Sequence, residues 1–160
     1  MNIPIKSTKN VPKYATQGSS GFDLQAIHIL KYFNASNEEI PVENINTDNT
    51  IHLLPNARVL VGTGLFADIP DGYEIQVRSR SGLTLKQGLV VANGIGTIDS
   101  SYKGEIGVIL TNTSNSKVSF DIMDRIAQGV LVKVEKATFF QRDLLTPSDR
   151  EGNGYGSTGK

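Results

Sequence analysis

At 160 residues with sixteen basic and sixteen acidic side chains, the chain carries no net charge and no long run of either sign. That disfavours sequence-independent binding to a nucleic-acid backbone and confines any anion site to a local cluster. The length suits one domain with a proper core. The absence of Cys excludes disulfides and thiol chemistry, and with His28 and His52 alone a zinc site is disfavoured, so a metal is expected to be oxygen-ligated.

The opening MNIPIKSTKNVPKY alternates apolar and polar residues, suits an edge strand bordered by Pro4 and Pro12, and has no apolar core of signal-peptide length. No segment approaches the roughly 20 apolar residues of a membrane span. A cytoplasmic protein is expected, or a nuclear one if the source is eukaryotic. Turn formers over 16–21 lead into Phe22-Asp23-Leu24, where Asp23 reads by itself as a turn or cap residue. Residues 30–50, LKYFNASNEEIPVENINTDNT, break the strand rhythm and read as a surface insert. A solvated loop is expected there, with a helical turn near 36–40 if Ser36 caps and Glu39 answers it.

Strands resume at Ile51, and Pro70-Asp71-Gly72 marks a turn. YEIQVR alternates, with Tyr73, Ile75 and Val77 on one face and Glu74, Gln76 and Arg78 on the other. One short helix is expected near 83–88. Its start at Ser81-Gly82 would present free N–H groups to an anion. The stretch 91–110, VANGIGTIDSSYKGEIGVIL, reads as a hairpin: Asn93-Gly94 turns the chain, Gly96 admits a close approach, and Ile106, Val108 and Leu110 keep strand period. It carries a buried-looking carboxylate, Asp99. Two further strands follow, one with Val118, Phe120 and Ile122 on a face, the other with Val130, Val132 and Val134. Many short strands and frequent turns predict an all-β fold, a distorted barrel or jelly-roll-like domain over 1–145. A flexible glycine-rich segment is expected over 146–160. Residues 154–160 fit the P-loop pattern G-x-x-x-x-G-K, but the polar context supplies no strand and helix around it.

Five of these stretches lie in the order of the motifs of a known family. They are YATQGSSGFDLQA (14–26), VRSRSGL (77–83), the stretch 91–110, DRIAQ (124–128) and REGNGYGSTG (150–159). Together they resemble the homotrimeric dUTPase family, the deoxyuridine 5'-triphosphate nucleotidohydrolases. The resemblance implies a homotrimer with active sites shared between subunits and Mg²⁺-dependent hydrolysis of dUTP to dUMP and pyrophosphate. Neither nucleic acid nor membrane is an expected partner. Asp99 is the implied catalytic carboxylate, directing water onto the α-phosphorus. Arg80, Ser81 and Gly82 match the second-motif phosphate site, Gln128 the fourth-motif contact and Arg150 the fifth-motif clamp. Asn93, Gly96, Thr97 and Ile98 would read the base, and Tyr102 would pack under the deoxyribose, leaving no room for a 2′-hydroxyl. Tyr155 would stack over uracil, with Gly156, Ser157 and Thr158 covering the triphosphate. Mg²⁺ would be held by phosphates and water, with no direct protein ligand and Asp23 acting through water.

These roles suit the chemistry of the residues. Arg meets phosphate oxygens with paired donors, and an aspartate is ionised at neutral pH and so available as a base. Mg²⁺ keeps several of its waters and sits among phosphate oxygens. Cytosine in a site built for uracil would leave buried groups unpaired, at about 1–3 kcal/mol each. Arg125 reads as structural, paired with a carboxylate such as Asp124. Ser79, Lys103, Met123, Asn153 and Tyr155 depart from the family's usual Pro, Arg, Gly, Gly and Phe. Two alternatives remain: a dCTP deaminase-like enzyme of the same fold, or a non-enzymatic nucleotide-sensing or protein-binding β-trimer. Consumption of dCTP would mark the first, while Asp99 beside Arg80 and Arg150 speaks against the second.

Overall fold

The computed structural model describes residues 1–45 and 49–148. Its strands are β1 (Ile5–Ser7), β2 (Phe22–Gln25), β3 (His28–Phe33), β4 (Glu39–Ile40), β5 (Thr50–Leu53), β6 (Arg58–Gly62), β7 (Leu65–Ala67), β8 (Tyr73–Arg78), β9 (Leu89–Val91), β10 (Ile95–Ile98), β11 (Gly107–Asn112), β12 (Val118–Asp121) and β13 (Arg125–Lys133). A single α-helix among the described residues, α1 (Ser81–Gln87), joins β8 to β9. The pairings are antiparallel and form a four-stranded sheet β10-β8-β13-β2, a five-stranded sheet β4-β3-β6-β11-β9, and the two-stranded ribbons β1-β7 and β12-β5. Among the described residues no closed barrel results, and the architecture is the distorted jelly-roll-like one. No described helix is long and apolar enough to cross a membrane.

One hydrophobic cluster draws on all the sheets, because alternate strand residues point to the same interior. Val59 and Val61 of β6 and Val108 of β11 are fully buried, and they share one cluster with Leu24, Ile75 and Val77 from the other large sheet. Burying each such side chain contributes about 1.5–3 kcal/mol. Asn112 is the fully buried polar exception, and its amide is satisfied. Its Nδ2 donates to the carbonyls of Leu53 (2.9 Å) and Ser116 (2.7 Å), and its Oδ1 accepts from the Ser114 N–H (2.9 Å), fixing the turn between β11 and β12.

Four expectations are corrected. The stretch 91–110 is not one hairpin. Gly94, at φ +73°, does reverse the chain, but β9 stays on β11 in the five-stranded sheet while β10 pairs with β8 in the other. The Ala92 N–H donates to Ile109 O (2.8 Å), which holds the first arm away from the second. Asp99 is exposed, because β10 is an edge strand and the chain leaves it at Ile98. Residues 30–33 are not loop. They complete β3, with Tyr32 buried against the core and β4 returning beside it. No helical turn forms over 36–40, since Asn34 Oδ1 takes the Glu38 N–H (2.9 Å) and Asn37 adopts a left-handed φ of 65°. A short 3-10 turn, Val42–Asn44, follows instead. The helix α1 begins at Ser81, within the Ser81-Gly82 stretch expected to start it, and Gly88 at φ +70° ends it.

Candidate active site

The first, second and fourth motifs converge because β13 lies between β2 and β8. In this register Gln128 stands opposite Asp23 on one side and Arg78 on the other. Gly21 makes room for the Gln128 side chain, since a Cβ there would sit 2.7 Å from Gln128 Oε1. Gln128 Nε2 donates to Ser79 O (2.9 Å), tying β13 to the chain just ahead of Arg80. Asp23 then holds two guanidinium groups: Arg80 Nε lies 3.4 Å from Oδ1 and Arg125 Nη1 3.3 Å from Oδ2. Arg80 Nη1 also donates to Arg125 O (2.8 Å). The partner of Arg125 is therefore Asp23, not the neighbouring Asp124, whose Oδ2 accepts the Asp121 N–H (2.9 Å).

Asp23, Arg80, Ser81, Gly82 and Gln128 line an open depression of about 550 Å³, with Ser19, Ser20 and Lys86 around it. The first helical hydrogen bond runs from the Thr84 N–H to Arg80 O, so the Ser81 and Gly82 N–H groups take no intrahelical partner. With Arg80 they form a donor-rich wall suited to phosphate oxygens. No cluster of three or more metal-ligating His, Cys, Asp or Glu occurs among the described residues.

Asn93, Gly96, Thr97, Ile98, Asp99 and Tyr102 line a separate pocket of about 300 Å³, together with Leu30, Leu60, Glu105 and Ile109. It shares no lining residue with the first depression, and consecutive β8 residues divide between the two: Val77 faces this pocket and Arg78 the other. Gly96 is needed here, because a Cβ would lie 3.2 Å from Val77 Cβ. As an edge strand, β10 turns the N–H and C=O groups of alternate residues away from β8, leaving them free to read a planar ligand. Tyr102 is held by its hydroxyl, which donates to Glu105 O (2.8 Å), and its half-exposed ring borders the pocket. The Ser100 hydroxyl donates to Asp71 (3.2 Å), and Lys103, in the family's Arg position, reaches Asp68 and Ser100 O.

The two sets lie at opposite ends of one ladder. β10 pairs with β8 from Ile95↔Arg78 to Ile98↔Ile75, so Asp99 continues past one end and Arg80 past the other. Six residues of strand rise put them about 20 Å apart. Two contributors escape a reading of the motifs. Ser79, treated in sequence only as a missing Pro, accepts the Val91 N–H on its hydroxyl (2.8 Å) and the Gln128 amide on its carbonyl. Glu105 also lines the Asp99 pocket, with its carboxylate engaged by the Gly64 N–H and His28; its place between a Gly and an apolar strand was the available signal. Arg150, Tyr155, Gly156, Ser157 and Thr158 lie outside the described residues.

Comparison with known proteins agrees with the family resemblance. The profile of the dUTPase family matches residues 44–159. The deoxyuridine 5'-triphosphate nucleotidohydrolase of Finegoldia magna is 42% identical over 159 residues, covering 99% of this chain and 98% of that protein. Its counterpart in Chlamydia felis is 40% identical, covering 98% and 95%. Among solved structures, a variant dUTPase of Staphylococcus bacteriophage 80alpha with dUpNHpp superposes with a TM-score of 0.78 at 20% identity, covering 99% of both chains. A variant dUTPase of phage phi11 of S. aureus, described with a structural Mg(II) ion, gives 0.69 at 18% identity, covering 90% of this chain and 98% of that one. At such identities the solved structures speak to the fold, whereas the profile and the bacterial relatives reach the family: the chain belongs to the dUTPase family.

Proposed function

We propose that the protein hydrolyses dUTP to dUMP and pyrophosphate in sites assembled between copies of the chain. What supports this is the division of the matched residues. Arg80, Ser81, Gly82, Gln128 and Asp23 form a phosphate half-site, and Asn93, Gly96, Thr97, Ile98, Asp99 and Tyr102 a nucleoside half-site. A triphosphate is far shorter than the roughly 20 Å of strand between Asp99 and Arg80. Asp99 of one copy therefore meets Arg80 of another, in a homotrimer as the family resemblance implies. Beyond β13 the chain exposes Phe139, Phe140, Leu144 and Leu145, apolar side chains suited to burial against a neighbouring copy.

In the assembled site uracil lies along the free edge of β10. Its carbonyls and N–H pair with backbone groups and the Asn93 amide, and Tyr102 packs beneath the deoxyribose. The Asp99 carboxylate accepts a proton from water as the water oxygen bonds to the α-phosphorus. The bond to the bridging oxygen breaks, and pyrophosphate leaves into the Arg80, Ser81, Gly82 and Gln128 wall. Mg²⁺ fits there as a companion of the substrate: both Asp23 oxygens already face arginines, so phosphate oxygens and waters would hold the ion, with Asp23 reaching it through water. Bound so, it supplies neutralisation of phosphate charge. Residues 146–160 act as the lid, Arg150 meeting the phosphates, Tyr155 stacking on uracil, and Gly156, Ser157 and Thr158 closing over the triphosphate.

The test is pyrophosphate release from each dNTP, with a subunit-mixing arm. The wild type should turn over dUTP in strong preference to dCTP, dTTP and UTP. Asp99→Asn and Arg80→Ala proteins, each nearly inactive at dUTP well below the raised KM of Arg80→Ala, should regain activity when unfolded and refolded together, because mixed trimers contain sites with both halves intact. Failure of mixing to restore turnover would place both halves of the site on one chain.

A further inference from the structure

We propose that Glu105, with His28, is a positioning residue for the Tyr102 ring and thereby sets the preference for deoxyribose over ribose; this rests on the nucleoside half-site proposed above. Glu105 lines the same pocket as Asp99, and its side chain is 18% exposed. It has no part in activating water, since its carboxylate is turned away into a set of contacts of its own. Oε1 accepts the Gly64 N–H at 2.6 Å, and Oε2 lies 3.3 Å from His28 Nε2. Both partners sit beside the β6–β7 corner. Gly64 is at φ +65°, and Gly62 has no side chain to occupy the space; a Cβ there would lie 2.5 Å from His28 Nε2 and 2.6 Å from Glu105 Oε1. The strand thus leaves a cradle in which this carboxylate is clamped from two sides.

The clamp matters through the backbone of the same residue. Glu105 O is the acceptor for the Tyr102 hydroxyl at 2.8 Å, so the far end of the ring is pinned to a residue whose own side chain is anchored across the sheet. Tyr102 otherwise sits on an exposed turn, tied down near its start by the Tyr102 N–H to Asp99 O bond (3.1 Å). A ring held at one end would swing, and a swinging ring leaves space for a 2′-hydroxyl. Held at both ends, it closes that space. Sugar selection then depends on the Glu105–His28 contact, which lies behind the ring and outside the reacting atoms, while the Asp99 chemistry does not.

The measurement is kcat/KM for dUTP and for UTP in the wild type, Glu105→Ala and His28→Gln. Glu105→Ala should lower the dUTP to UTP preference by about tenfold, through a rise in kcat/KM for UTP together with a rise in KM for dUTP, with kcat for dUTP changed less than about threefold. His28→Gln, at a half-exposed side chain, should fold normally and lower the preference by roughly threefold. A merely structural role would reduce active protein for both substrates alike and leave the ratio unmoved. An unchanged ratio in Glu105→Ala overturns the inference; if that variant does not fold, an unchanged ratio in His28→Gln does so. If the wild type itself hydrolyses UTP as readily as dUTP, the substrate reading fails and this inference falls with it. Discrimination in the wild type that persists in both variants sinks the positioning role alone.

Discussion

The proposed phosphate and nucleoside half-sites are built on opposite principles. The first is made of charged side chains gathered by a central strand: Gln128 on β13 faces Asp23, which in turn holds Arg80 and Arg125. The second is made of backbone on an edge strand, with Gly96 providing closeness and Tyr102 a flat wall. Charge attracts any polyphosphate, whereas shape and fixed donors select the nucleoside. Loss of a charge should therefore cost affinity for every triphosphate, and loss of shape should cost discrimination. In the proposed reaction Asp99 stands at the edge of the shape-selecting half but acts on the ligand of the charged one.

The largest effect is expected at that meeting point. Asp99→Asn keeps the size and the hydrogen-bonding capacity of the side chain but cannot take a proton, so turnover should fall by roughly 10³-fold with KM for dUTP nearly unchanged. Single-turnover kinetics checks this, and a rise in KM matching the fall in kcat would assign Asp99 to binding instead. Next comes Arg80→Ala. It removes charge-assisted bonds of about 1.5–3 kcal/mol each, so KM should rise by tens- to hundreds-fold for every triphosphate that binds. Arg80→Lys should recover only part, because a lysine cannot offer the fork that spans Asp23 and the phosphates. Inhibition by added pyrophosphate should weaken in parallel.

Gly96→Ala attacks the other half. Its Cβ would press on Val77 Cβ at 3.2 Å, and the Asn93 amide lies 3.5 Å away, so strand and base-reading groups must shift by a few tenths of an ångström. KM for dUTP should rise about tenfold, with inhibition by pyrophosphate unaltered. If pyrophosphate inhibition moves as well, the two halves are not independent and the contrast between them is too sharp.

How far the sequence discloses these halves follows from what each is made of. The alternation of Tyr73, Ile75 and Val77 identifies β8 from its residues alone, and the ordered motifs supply the side chains of both halves. Spatial partition is another matter. An Asn-Gly turn signals reversal whether or not the flanking strands pair, so the assignment of β9 and β10 to different sheets leaves no mark on residues 91–98. Nor does the exposure of Asp99, whose apolar neighbour Ile98 suggests an interior. The Asp23–Arg125 pair joins residues 102 apart in sequence, and adjacency pointed to Asp124 instead. Asn34, which turns β3 back into β4, looked like one polar residue among many. By contrast, Met123 in the family's Gly position was a legible warning: its φ is 76°, a left-handed conformation that glycine adopts freely.

Ser79 offers the finest probe of the comparison, because it touches both halves. Its hydroxyl accepts the N–H of Val91, a buried residue that lines the nucleoside pocket, and its carbonyl accepts from Gln128 of the phosphate depression. Ser79→Ala removes the first link and keeps the second, since the carbonyl is backbone. Leaving the Val91 N–H without its partner should cost about 1–2 kcal/mol of stability. For a chain of this size that lowers the melting temperature by a few degrees, at about 2–4 °C per kcal/mol. If the halves are mechanically separate, the loss stays in stability: KM for dUTP should change less than about twofold, and pyrophosphate inhibition not at all. A joint rise of both constants would show that Ser79 transmits strain between the two ends of β8. The phosphate wall and the nucleoside edge would then be tuned together within each chain, even though in the proposed assembly each completes the site of a different neighbour.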